Sequence, residues 1–230
     1  MKTMGLIGGM SWESSLEYYR IINETVKERM GKLHSAKCIL YSVDFGEVEP
    51  LQHEGRWEYL ALYMTQAAKK LEGAGAEFII ICTNTMHKLA DDVAEHINIP
   101  LLHIGDMVAD IIREREIKTV GLLGTRFTME EDFYKERINR KHGIEVIIPE
   151  SKEREIVHRV IYNELCKGQI NQSSKERFKD TIDRLHGQGA QGVILGCTEI
   201  PLLISQKDVD IPLFDTTTIH AKAAVDFALR

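Results

Sequence analysis

The chain has 230 residues and a formal net charge of −6, with 43% hydrophobic and 28% charged residues, which is the composition of a folded globular protein. The negative charge and the lack of a long basic run argue against nucleic acid as a partner, since phosphate contacts need clustered Lys and Arg, and they favour a small ligand. No apolar run approaches the ~20 residues of a membrane span, and no charged region followed by an apolar stretch opens the chain, so we expect no membrane partner and a cytoplasmic location.

Apolar runs alternate with helical patterns along the first half of the chain. Short apolar runs that end in glycine or polar residues are typical of buried strands, and apolar residues spaced by three or four are typical of helices. In chain order we predict a strand over 3–8, a helix over 13–30, a strand over 38–43, a helix over 57–71, a strand over 77–82, a helix beginning near 84–85, and a closing segment over 101–113 that starts with an apolar run. Strands that alternate with helices predict parallel sheets in an α/β fold.

The second half of the chain repeats the first about 115 residues further along. The GLIG motif at 5–8 returns as GLLG at 121–124, and the apolar run with its polar end at 75–85 returns at 189–199. The repeat predicts two pseudo-symmetric lobes, with Thr83 and Cys197 at equivalent positions that face each other.

Glycine or small polar residues follow four of the predicted strands, at 8–9, 83–85, 124–125 and 197–199. Because parallel sheets bind ligands beyond the carboxyl ends of their strands, we predict an active site in the cleft between the lobes. The glycines at 5–9 do not match a dinucleotide fingerprint and predict a tight turn, whose amides can still hold a carboxylate. Met10 beside this turn is predicted to line the pocket or to pack between the lobes.

The cysteines and histidines show no metal-binding pattern. The four cysteines, Cys38, Cys82, Cys166 and Cys197, contain no CxxC pair, and the nine histidines contain no HExxH pair. We therefore expect free thiols and no metal site.

Cys197 is the leading catalytic candidate. It ends a buried strand and precedes Thr198 and Glu199, which look like the first turn of a helix. A free thiol has a pKa near 8.5, one pKa unit corresponds to about 1.4 kcal/mol, and a partly buried helix N-terminus supplies up to ~2 kcal/mol. We expect a lowered pKa that makes Cys197 a base for a carbon-bound proton; a structural core cysteine is the alternative.

Three motifs together resemble the aspartate/glutamate racemase family: GLIGGMSW at 5–12, CTNTMH at 82–87 and GCTE at 196–199. The resemblance covers essentially the whole chain. It implies a homodimer of two-lobed, flavodoxin-like subunits, in which the last helix returns to the first lobe, giving an N-terminal lobe of 1–100 and 213–230 and a C-terminal lobe of 101–212. It also implies an amino-acid racemase without cofactor, independent of pyridoxal phosphate, in which two opposed thiols exchange protons with the substrate α-carbon.

The first thiol position departs from the family pattern. The commoner Cys-Asn-Thr is here Thr83-Asn84-Thr85, and Cys82 lies one residue too early. Side chains alternate along a strand, so Cys82 is expected to point away from the cleft unless a bulge turns it. We predict Thr83 as the second catalytic residue, an arrangement that resembles a subgroup acting on acidic amino acids, with Cys82 as the alternative.

Donors at helix starts form the predicted substrate-binding set. Asn84, Thr85, Thr125 and Thr198 offer amide and hydroxyl groups suited to an α-carboxylate, with ordinary helix capping as the alternative. Glu199, next to Thr198, belongs to the same set.

Two further binding residues follow from the resemblance. Lys167, in a predicted loop, resembles a family lysine that pairs with the side-chain carboxylate of the substrate. Gln52 lies in the predicted loop after the second strand, where some aspartate racemases carry an arginine.

Two other functions fit the same residues. A decarboxylase or isomerase of the same superfamily with one thiol would protonate a carbanion from one face only. A two-lobed sensor of small molecules would keep the fold and lack turnover.

Overall fold

The computed structural model describes all 230 residues and divides them into two compact units, Met1–Ile104 with His220–Arg230, and Gly105–Ile219. Each unit contains one four-stranded parallel sheet, so the predicted α/β fold is confirmed. No helix has both the length and the apolar character needed to cross a membrane.

The first unit is built on the sheet order β2-β1-β3-β4, with every pair parallel. Its elements in chain order are β1 (Met4–Gly8), α1 (Trp12–Met30), β2 (Cys38–Ser42), α2 (Phe45–His53), α3 (Trp57–Gly73), β3 (Phe78–Ile81), a 3-10 helix (Thr85–Leu89), α4 (Ala90–Ala94) and β4 (Leu101–Leu102). The predicted strands and helices of this half are confirmed to within about two residues at their ends.

The predicted loop around Gln52 is wrong, because the segment after β2 forms helix α2. Asp44 starts this helix by accepting a hydrogen bond from the Gly46 N–H at 2.9 Å. Gly46 and Pro50 lie within this helix. Because both residue types are typical of turns, the sequence pattern of this segment does not predict a helix.

The second unit repeats the arrangement with the order β6-β5-β7-β8, again all parallel. Its elements are α5 (Ile104–Glu114), β5 (Thr119–Gly124), α6 (Arg126–Glu130), α7 (Asp132–His142), β6 (Glu145–Ile147), α8 (Ser151–Asn163), a 3-10 helix (Leu165–Lys167), α9 (Gln172–Gly187), β7 (Val193–Gly196), α10 (Ile200–Leu203), a 3-10 helix (Gln206–Asp208), β8 (Leu213–Asp215) and α11 (Thr216–Leu229). The matching strand orders agree with the sequence repeat.

The expected boundary between the lobes lies after residue 212, whereas the second unit of the structure extends to Ile219. Strand β8 pairs with β7, with Val193 beside Leu213. Helix α11 therefore begins in the second unit, and the residues from His220 onward belong to the first.

Apolar side chains cover both faces of the first sheet. In β3, Ile79 and Ile81 pack in a cluster with residues of α3 and α4. Phe78, Ile80 and the adjacent Cys82 pack on the opposite face with residues of α1 and α11. This alternation explains the uninterrupted apolar run of β3, because a strand buried on both faces needs no polar positions.

Candidate active site

Cys197 lies directly after β7 at the carboxyl edge of the second sheet. Its side chain donates a hydrogen bond from Sγ to Oε2 of Glu199 at 2.9 Å, and Thr198 Oγ1 donates to the same oxygen at 2.7 Å. Cys197 and Glu199 each expose only 8% of their surface. A buried carboxylate is thus the common acceptor for a thiol and a hydroxyl.

The expected lowering of the Cys197 pKa is wrong. Burial raises the pKa of this thiol well above its usual range, and the negative charge of Glu199, the nearby Cys166 and the hydrogen bond to Glu199 raise it further. A hydrogen bond from the Glu199 backbone, at the start of the four-residue helix α10, lowers the pKa but does not offset these effects. The resting group is a thiol bonded to a carboxylate.

Thr125 lies beside Cys197 at the same sheet edge. Gly124 and Gly196 are paired residues of β5 and β7, so the residues that follow them are neighbours. Thr125 starts α6, where its Oγ1 accepts a hydrogen bond from the Thr128 N–H at 3.4 Å. The predicted hydroxyl therefore reaches the edge that carries the thiol, and it also caps a helix.

Cys82 and Thr83 follow β3 in the first unit and have different surroundings. Cys82 is fully buried in the core between the sheet and α1 and α11. Burial raises the pKa of its thiol far above the usual range, and the neighbouring Cys38 adds to this effect. Thr83, one residue later, is only partly buried. At this strand end Thr83 is therefore more exposed than Cys82.

Side chains contact two backbone carbonyls in the turn after β3. Ser14 Oγ donates to the Cys82 carbonyl at 2.6 Å, and His87 Nδ1 contacts the Thr83 carbonyl at 2.7 Å. Asn84 and Thr85 are both buried, with exposures of 3% and 6%, and they begin the 3-10 helix as predicted.

The remaining predicted residues lie in dissimilar environments. Gln52 is buried in α2 and donates from Nε2 to Met86 Sδ at 3.0 Å. Lys167 is exposed and ends a 3-10 helix rather than lying in a loop. Met10 packs in the core of the first unit.

The turn at Gly9 is closely packed against the segment after β2. A Cβ at Gly9 would lie 2.1 Å from the Val43 carbonyl oxygen, and its φ of +92° favours glycine. Its N–H already donates to Ser15 Oγ at 2.7 Å. The Gly9 N–H is therefore already used by a hydrogen bond within the first unit.

Sequence reasoning missed a buried group of three histidines. His87, His103 and His220 are 2%, 4% and 0% exposed, and the ring of His87 contacts the other two, with centroids at 4.7 and 5.5 Å. The spacing of four residues between Thr83 and His87 was the only local signal, since the other two histidines come from distant segments.

Comparison with known proteins gives a consistent result. The family model described as Asp/Glu/hydantoin racemase matches residues 7–224. The crystal structure of a candidate Asp/Glu racemase from Yersinia pestis is 55% identical, with a TM-score of 0.95 and 100% of each chain covered. An aspartate racemase homologue from Pyrococcus horikoshii is 39% identical, with a TM-score of 0.88 and 100% of each chain covered. The broad specificity amino-acid racemase of Bacillus subtilis is 22% identical over 96% of each chain.

Proposed function

Because the chain belongs to the Asp/Glu/hydantoin racemase family, we propose that it interconverts L- and D-aspartate or L- and D-glutamate without pyridoxal phosphate. Its relatives are named as amino-acid racemases, which are isomerases, so the chain is an enzyme of that class. One observation carries the proposed mechanism, a 1,1-proton transfer: the buried Cys197 thiol donates to Glu199 at 2.9 Å.

Glu199 gives the Cys197 thiol a route to its reactive form. Transfer of the thiol proton to the carboxylate leaves a thiolate beside a carboxylic acid, which is a base for the substrate α-proton. When sulfur takes the α-proton, the electron pair of the C–H bond stays on the substrate as a carbanion. The raised pKa of Cys197 makes the thiolate strongly basic once it forms.

Thr83 is proposed to serve the opposite face of the α-carbon. Its hydroxyl donates a proton to the carbanion and regains one from water, and the hydroxide left behind takes the proton held by Glu199, so that no net proton is gained or lost. A hydroxyl is a poorer base than a thiol, so Cys197 is proposed to abstract the proton from one enantiomer while Thr83 mainly donates or relays. The partial exposure of Thr83 and the burial of Cys82 support this choice of residue.

The substrate carboxylates need hydrogen-bond donors. Thr125 and Thr198, next to Cys197 in the second unit, and Asn84 with Thr85 in the first are proposed to bind the α-carboxylate. Thr198 is proposed to do so through its backbone N–H, because its hydroxyl donates to Glu199. The exposed Lys167 is proposed to pair with the side-chain carboxylate of an acidic substrate, which its family and the Pyrococcus horikoshii homologue suggest.

Two residues are proposed to act less directly. Gln52 touches Met86 of the 3-10 helix and is proposed to shape the binding surface there. Met10, packed in the core, is proposed to support the turn before α1.

The family resemblance also favours a cytoplasmic homodimer. Light scattering of the purified protein measures the subunit number directly, and a monomeric mass would contradict this part of the proposal.

Chiral chromatography tests the proposed function. The wild type is expected to convert each enantiomer of aspartate or of glutamate to its mirror form, and Cys197→Ala is expected to abolish conversion. Cys38→Ala is the control, because this half-buried cysteine of β2 lies in the other sheet from Cys197. Conversion that survives Cys197→Ala would refute the mechanism. Carbon dioxide release would favour a decarboxylase, and binding that survives Cys197→Ala without any wild-type turnover would favour a sensor.

A further inference from the structure

His87 contacts the backbone of the residue proposed to be the second catalytic group. Its Nδ1 lies 2.7 Å from the carbonyl oxygen of Thr83. A carbonyl oxygen can only accept, so Nδ1 carries the hydrogen and donates it. The imidazole is thereby fixed in one tautomer and one orientation.

Three successive carbonyls of this turn are held by hydrogen bonds. Ser14 Oγ donates to Cys82, His87 Nδ1 bonds to Thr83, and the His87 N–H donates to Asn84 at 3.0 Å. His87 therefore supplies two of the three donors, one from its backbone and one from its side chain. If the side-chain donor of His87 is removed, the Thr83 carbonyl loses this hydrogen bond. The hydrogen bonds to the Cys82 and Asn84 carbonyls do not depend on that side chain.

The rings of His103 and His220 pack against the ring of His87. His220 Nε2 donates to the Leu102 carbonyl at 3.0 Å, and its Nδ1 accepts from the Tyr18 hydroxyl at 2.8 Å. Burial lowers the pKa of His220 to about 4, although its bond to Leu102 opposes this shift, so this ring is neutral near pH 7. Residues from three other segments thus form a packed support for His87.

Building on the proposed function, we propose that His87 is a positioning residue that fixes the backbone at Thr83 and so aims its hydroxyl at the substrate. Threonine is β-branched and has few accessible side-chain rotamers, so the hydroxyl direction follows the backbone closely. Misplacement by about 1 Å can cost about 100-fold in rate. His87 acts through Thr83 and does not itself exchange protons with the substrate.

Two substitutions of similar size distinguish the loss of the hydrogen-bond donor at His87 from a change in the packing around it. His87→Asn keeps an N–H donor near the position of Nδ1, whereas His87→Leu has nearly the same shape and no donor. We expect kcat/KM to fall between about 10- and 100-fold in His87→Leu and to recover largely in His87→Asn. His96 makes the same Nδ1 contact to the carbonyl four residues earlier, at 2.7 Å from Asp92, but on the surface. His96→Leu is therefore the control and should retain full activity.

The α-deuterium isotope effect distinguishes positioning from damage to the fold. The enantiomers have equal free energy, so kcat/KM must fall equally in both directions. With proton transfer at Thr83 slowed, the isotope effect should rise for the enantiomer that Thr83 deprotonates. It should fall for the other enantiomer, because protonation by Thr83 then limits the rate after Cys197 has already removed the deuterium.

Several outcomes would overturn the proposal. Activity of His87→Leu within about twofold of the wild type would do so, as would equal losses in the leucine and asparagine variants with unchanged isotope effects. Hydrogen exchange of the peptide over 82–90 provides a readout that does not need activity. His87→Leu should exchange faster there, while His87→Asn should match the wild type, and equal exchange in all three would refute the anchoring role. A wild type that fails to racemise would refute the proposed function, while the exchange rates still decide whether His87 anchors the turn.

Discussion

Replacing Glu199 by glutamine should slow the enzyme even though it makes the Cys197 thiol more acidic. Glutamine keeps the size of the side chain and removes its charge, which is one of the causes that raise the pKa of Cys197. The pKa of the thiol should therefore fall in Glu199→Gln. The variant also loses the group that accepts the thiol proton at 2.9 Å.

The size of the loss follows from the cost of forming the thiolate. An ordinary thiol with a pKa near 8.5 costs about 2 kcal/mol to ionise at pH 7, which is roughly a 30-fold factor in rate. Burial makes the cost larger for Cys197, and a positioned base contributes about 100- to 10,000-fold. We expect kcat/KM of Glu199→Gln to fall by at least about 100-fold in both directions.

The assay combines chiral chromatography with the pH dependence of thiol alkylation. Glu136→Gln, an exposed position on α7 of the same unit, controls for the loss of one negative charge. A more acidic thiol with much lower activity would establish Glu199 as the proton acceptor. A more acidic thiol with equal or higher activity would refute that role, since Glu199 would then only suppress the thiolate.

Three further predictions concern the second base and the stability of each unit. Thr83→Cys should raise kcat for the enantiomer that residue 83 deprotonates, since a thiol is the better base; unchanged kcat for both enantiomers would count against Thr83. The pKa of His220 falls from 6.5 to about 4 on folding, so the unfolded chain binds more protons between these values, and stability should drop by roughly 3 kcal/mol as pH falls through this window. Urea unfolding at several pH values should show this slope in the wild type and a shallower one in His220→Gln; equal slopes would contradict the assignment. Asp106→Asn removes a carboxylate that Arg137 contacts at 2.7 and 2.8 Å, and urea unfolding should show a loss of about 1–3 kcal/mol, whereas a change under about 0.5 kcal/mol would mean that the pair adds little.

The strands were predictable because each is short, apolar and bounded by glycine or polar residues. The run at 78–81 is buried on both faces, and its repeat at 193–196 is equally buried. Helix α2 was not predictable from periodicity, because Gly46 and Pro50 interrupt its pattern. The expected boundary at 212 differs from the end of the second unit at Ile219, because the pairing of β8 with β7 depends on contacts between distant segments.

Candidate site residues were easier to predict than their ionisation. Cys197 was recognisable from its place after a strand, but its pKa depends on burial and on Glu199 and Cys166. Sequence alone shows where a helix starts and not how much water reaches it, so the direction of the shift was wrong. The contact between His87 and His220 was not predicted for a related reason, because the two residues lie far apart in the sequence and only the fold brings them together.

If two groups act on opposite faces of the α-carbon, deuterium from the solvent should enter the product and not the remaining substrate. Each enantiomer is incubated in D2O to low conversion, and mass spectrometry with chiral separation follows the label in substrate and product. With two bases, we expect nearly every product molecule to carry one deuterium at the α-carbon while the remaining substrate stays unlabelled. Product that retains the proton of its substrate, or label in the starting enantiomer without inversion, would contradict it.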